Sequence, residues 1–193
     1  RDDSPALHAA DTLAVAGGVA DARAVELLTR EGPRAVLRLV EWGARLDRNS
    51  DDGFALGREA AHSRPRIAHA RDATGAELVR ALVAGVRRAP HVMAFEETFA
   101  LELALADGLV VGVWARDRQG RPALHRAPAV VMATGGIGRL FSHTTNPREA
   151  TGDGPATAAR AGEPLADLGV GQVHPPAPAV EAHPRPPWAQ ALR

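Results

Sequence analysis

Residues 133–154 read ATGGIGRLFSHTTNPREATGDG. An apolar run, APAVVMAT at 127–134, leads into Gly135, Gly136 and Gly138, and a Thr- and Asn-rich loop then closes on Gly-Asp-Gly. A continuous apolar run of this kind is expected as a short strand buried on both faces. Glycines directly after such a strand let the backbone approach a ligand that a Cβ would repel. The pattern points to an α/β sheet with a loop at the carboxyl end of a strand. The dinucleotide fingerprint, however, wants G-x-G-x-x-G opening a helix directly. Here a loop follows Gly138, and the next helix is expected only at 155–161, with Gly162 as its C-cap. On spacing alone two readings stand, a nucleotide-binding loop and a tight turn. Asp153, before Gly-Pro, also reads as a helix N-cap, and Thr144, Thr145 and Asn146 as turn residues.

Upstream, the apolar period is helical. Ser4-Pro5 is a cap and first-turn pair for a helix reaching about Val15 and ending at Gly17-Gly18. Further helices are expected at 21–31 and 33–43, on either side of Pro33. Residues 47–73 are polar and irregular. Thr74 and Glu77 form a T-x-x-E capping box, opening a helix with Leu78, Val79, Leu82, Val83 and Val86 as its apolar stripe. The period then shifts toward two. Strands are expected at 91–97, 99–106 and 109–116, with Asp107-Gly108 as a two-residue hairpin turn and Gln119-Gly120 as a further turn. The Pro-crowded end has no clear period and reads as loop.

Composition removes several function classes. Lys and Arg number 23 and Asp and Glu 23, so the formal net charge is zero. Nucleic acid and anionic membrane are therefore not expected as partners. There is no Cys, which removes disulfides, thiolate metal sites and Cys nucleophiles, and fits a reducing, cytoplasmic setting. No apolar run approaches the roughly 20 residues that cross a bilayer. The polar, acidic start lacks an initiator Met and is not expected to be a signal peptide; the sequence reads as beginning within a longer protein.

Taken together, ATGGIGRLFSHTTNPREATGDGPATAARAG closely resembles a signature of the fumarate reductase, succinate dehydrogenase and L-aspartate oxidase flavoproteins. That signature runs ATGG-x-G-x-L-Y, then TTNP, then ATGDG-x-A-x-A-x-RAGA. The resemblance extends from DSPALHAADTLAVAGG to QVHPPAP, nearly the whole chain. Within the family, LGREAAHSRPRIAHARDATGAEL at 56–78 is similar to the L-aspartate oxidase version of that segment. The resemblance implies an α/β fold: a partial FAD-binding, Rossmann-like domain with an inserted β-meander over 1–168, then a Pro-rich start of a substrate-capping region over 169–193. It implies oxidation of L-aspartate to iminoaspartate in de novo NAD biosynthesis. FAD would accept the hydride, and O₂ or fumarate would reoxidise it. Thr134, Gly135, Gly136 and Asp153 match cofactor-binding positions. Thr98 to Leu101 fall where the family's strand lies along the adenine end. Glu59 matches a Glu that orients the substrate amino group, and His174 matches a substrate-binding His. The cationic HSRPR segment after Glu59 is expected to meet the two substrate carboxylates.

The sequence also departs from the pattern. Ala60 and Ala61 replace two glycines, Pro176 replaces the Thr of an HPT motif, and Ala189-Gln190 stand where a Ser or Thr and a Glu are usual. The G-x-G-x-x-G turn and the proton-donating Arg have no counterpart, so no catalytic residue is assigned and little activity is expected of the chain alone. Two other readings remain: a fumarate reductase or succinate dehydrogenase flavoprotein subunit, and an inactive remnant or interaction module.

Overall fold

The computed structural model describes residues 2–169. The chain divides into two compact units, Arg1–Ala94 and Phe95–Arg193.

The first unit is mainly helical. Helix α1, Pro5–Val15, starts as its sequence dictates: Ser4 is extended, and its hydroxyl accepts from the Leu7 N–H at 3.1 Å. Helix α2, Ala22–Glu41, is capped by Asp21, which accepts from the N–H groups of Arg23 and Ala24. The two helices expected at 21–31 and 33–43 are thus one. Pro33 removes one helical donor. The clash that normally bars the residue before Pro from the α region involves that residue's Cβ, and Gly32 has none. Val25 and Thr29 on α2 are buried, and the Thr29 hydroxyl donates back to the Val25 carbonyl at 3.0 Å.

Strands β1, Leu56–Gly57, and β2, Ile67–Ala68, form a minimal antiparallel pair inside the segment read as irregular. Asp47 anchors this pair. Its backbone bonds His69 and Ala55, and its carboxylate accepts from the Arg71 N–H at 2.7 Å. Helix α3, Thr74–Arg88, follows. The expected capping box is not formed. Ala73 is the N-cap without a side-chain bond; Thr74 instead accepts from the Ala70 N–H, and Glu77 from the Arg45 N–H at 2.6 Å. Thr74 thus serves the turn before the helix and Glu77 a donor 32 residues away, rather than their own helix end. Ala81 is the buried residue of α3, while Val79, Leu82, Val83 and Val86 of the expected stripe are exposed.

The second unit holds an antiparallel sheet in the order β3-β4-β5: Phe99–Ala106, Leu109–Arg116 and Pro122–Arg126. Asp107 and Gly108 both have positive φ, 51° and 77°, as a type I′ hairpin turn requires. Strand β5 follows the turn expected at Gln119-Gly120 and is additional to the strands expected from the sequence; it opens on Pro122, and Pro is tolerated at a strand's first residue. Residues 91–97 form no strand, since Glu97 turns the chain at φ 51° just before β3. Residues 127–134 form none either. A strand buried on both faces needs neighbours, none pairs with it among the described residues, and Val131 is 90% exposed. Helix α4, Asp153–Arg160, begins two residues earlier than expected, and Gly162 follows it at φ 89°. Its Arg160 holds Glu102 of β3 at 2.6 Å.

Candidate functional site

The glycine loop is built on close packing at one end and open backbone at the other. A Cβ on Gly154 would overlap the Thr134 hydroxyl, and one on Gly138 would overlap the Asn146 amide. These contacts clamp 134–138 against 146–154. The Arg139 N–H adds a bond to the Ala150 carbonyl at 2.9 Å, beside the short 3₁₀ turn Gly138–Leu140. Thr144, read as a turn residue, accepts from the Asn146 N–H at 3.1 Å.

Gly135 and Gly136 behave differently. Among the described residues, no atom beyond the adjoining chain neighbours lies within 4 Å of where a Cβ on either would stand. Gly135 needs its glycine for φ 74°. Gly136 has neither a positive φ nor a close neighbour, so nothing among the described residues explains its lack of a side chain. Bare backbone facing open space is what a ligand in close approach requires. The structure therefore brings Thr134 and the two glycines beside the start of α4.

Asp153 is the first residue of α4, with Gly152 as the N-cap at φ 83°, so the N-cap reading of Asp153 is corrected. Its carboxylate accepts from the Thr151 hydroxyl. A carboxylate at this end is favoured by the helix dipole.

Glu59 belongs to the first unit. It is exposed, in the loop 58–66 between β1 and β2, where its carbonyl accepts from the His62 N–H at 2.9 Å. His174 lies outside the described residues. The expectation that the HSRPR cations meet substrate carboxylates does not hold for Arg66. Its guanidinium grips Asp3 through Nε and Nη2, at 3.0 and 2.7 Å, and Asp11 through Nη1 at 2.6 Å. Ser63 gives Asp11 two more bonds, from its N–H at 2.8 Å and its hydroxyl at 2.7 Å. The Ser63 bonds, then the Arg66 cation, hold the Asp11 carboxyl far below the usual carboxylate range. Nothing in the sequence marks these partners, which lie more than fifty residues apart.

A flavin dinucleotide is a group the glycine pair fits, since it leaves room against the backbone at the loop that leads to α4. No helix among the described residues is long and apolar enough to cross a membrane.

Comparison with known proteins agrees. The L-aspartate oxidase of Caulobacter vibrioides is 47% identical over 100% of this chain and 38% of that protein. That of Streptomyces coelicolor is 48% identical over 90% of this chain and 31% of that protein. The chain thus spans about a third of the length of these relatives. Among solved structures, the quinol fumarate reductase FrdA of E. coli superposes with a TM-score of 0.80 at 31% identity, over 83% of this chain and 28% of that one. Residues 1–182 match the family described as FAD binding domain, and the chain belongs to that family.

Proposed function

We propose that this chain is the FAD-binding part of an L-aspartate oxidase, a flavin-dependent oxidoreductase that converts L-aspartate to iminoaspartate for NAD biosynthesis in the cytoplasm. The observation that carries the reading is the L-aspartate oxidase form of 56–78, together with identities of 47% and 48% to two proteins of that name. The likeness to fumarate reductase is one of fold and ancestry, at 31% identity. Residues 1–168 are read as FAD domain and 169–193 as the start of the substrate-capping region.

Bound FAD supplies the two-electron acceptor for substrate oxidation, with O₂ or fumarate reoxidising it. The chain's own share is positioning. Gly135 and Gly136 let backbone approach the cofactor, and Thr134 and Asp153 offer it hydrogen-bonding oxygens. Glu59 offers a carboxylate to the substrate ammonium, a charge-assisted pairing that a dicarboxylate without the amine does not use. His174 is assigned to a substrate carboxylate by its motif. Arg66 already makes three bonds to Asp3 and Asp11, so it is not assigned to that contact.

The test is an exchange of residues 1–182 into the matching segment of the Caulobacter enzyme. The hybrid is expected to purify with FAD, and L-aspartate is expected to bleach the flavin band without oxygen. A hybrid that holds FAD and does not respond to L-aspartate would overturn the reading.

A further inference from the structure

We propose that Asp11, held by Arg66, is a positioning residue that fixes the loop carrying Glu59. The inference rests on the reading that Glu59 meets a substrate ammonium.

The loop 58–66 joins two strands of only two residues each. Such a pair supplies too few ladder bonds to hold a loop of this length. The loop is held instead from outside, by α1. A single oxygen of Asp11, Oδ2, accepts three donors from it: the Ser63 N–H, the Ser63 hydroxyl and Arg66 Nη1. Arg66 closes the arrangement by its two bonds to Asp3, just before the α1 cap. The Arg66 side chain is 7% exposed and that of Asp11 14%, while that of Asp3 is 33% exposed. From Ser63 the constraint reaches Glu59 through one turn, closed by the His62 N–H on the Glu59 carbonyl.

The groups facing the network are consistent with this role. The His8 ring of α1 meets that of His62 edge-on, with centroids 5.2 Å apart. Burial, then the Arg66 charge, push the His8 pKa down, so His8 stays neutral and brings no second cation to compete for Asp11. Two carboxylates and one guanidinium leave the network one negative charge in excess, which suits holding a loop and not binding an acidic ligand.

The experiment compares the FAD-loaded hybrid protein with its Asp11→Asn, Ser63→Ala and Glu59→Gln variants by amide hydrogen exchange and by titration with L-aspartate and succinate. Asp11→Asn is expected to speed exchange at Ser63 about tenfold, the worth of a charge-assisted bond, and to leave α2 unchanged. It is expected to weaken L-aspartate about tenfold and succinate not at all, as Glu59→Gln does without the change in exchange. Ser63→Ala removes one donor and gives a smaller effect of the same sign; it decides the matter if Asp11→Asn does not fold. Unchanged exchange at Ser63 overturns the proposal, as does an equal loss for both ligands. If Glu59→Gln leaves L-aspartate binding unaltered, the ammonium reading fails instead, and hydrogen exchange alone decides whether Asp11 holds the loop.

Discussion

Gly136 and Gly154 stand in one loop system and make opposite demands. At Gly154 a methyl would run into Thr134. Gly154→Ala is therefore expected to cost about 1–3 kcal/mol of stability, read by urea unfolding. At Gly136 the space is open and φ is not left-handed. Gly136→Ala is expected to leave stability within about 0.5 kcal/mol and to weaken FAD binding in the hybrid protein. A methyl there that leaves FAD affinity untouched would argue against a cofactor at this backbone. Glu77 supplies a third residue-scale expectation. Its bonds from Arg80, then from the Arg45 N–H, lower its pKa to about 2 from the ordinary 4.5. A depressed carboxylate stabilises the fold above its unfolded pKa and loses that contribution as pH falls through the folded one. The melting-temperature gap between wild type and Glu77→Gln should be full at pH 6 and close between pH 4.5 and 2.

Among elements, local chemistry was legible where a residue acts on its own chain neighbours. Ser4 capped α1 and Asp107-Gly108 turned the β3–β4 hairpin as their types require. It was illegible where a tertiary partner won. Glu77 left its helix end for Arg45, and the Asp11 oxygen gathered donors from a loop that no spacing connects to it. The apolar run at 127–134 has the composition of a strand, but a strand exists only through its neighbours. Of the candidate loop, the glycines and Asp153 stand out in the sequence as a pattern, and the pairing of Arg66 with Asp3 and Asp11 does not. Pro33 shows a punctuation mark overridden, its clash relieved by Gly32. The lost helical donor remains, so Pro33→Ala is expected to raise stability by about 1–3 kcal/mol in urea unfolding. A loss would mean that the ring itself packs.

At the scale of the molecule, the buried apolar residues are mostly small, Val25, Ala44, Leu46, Ala81, Ala104, Ala115 and Ala150 among those described. Large side chains such as Leu28, Val79, Leu109 and Leu140 stay exposed. Soluble proteins rarely leave broad apolar surface uncovered. The chain alone is therefore expected to enhance the fluorescence of an apolar dye, and residues 1–182 exchanged into the Caulobacter protein to do so far less. The hybrid also settles substrate choice, which fold cannot, because fumarate reductase shares it. The direct measurement is kcat/KM of the FAD-loaded hybrid for L-aspartate and for succinate. An L-aspartate oxidase segment gives L-aspartate-dependent peroxide with succinate a poor substrate. Succinate oxidation without L-aspartate oxidation would contradict it.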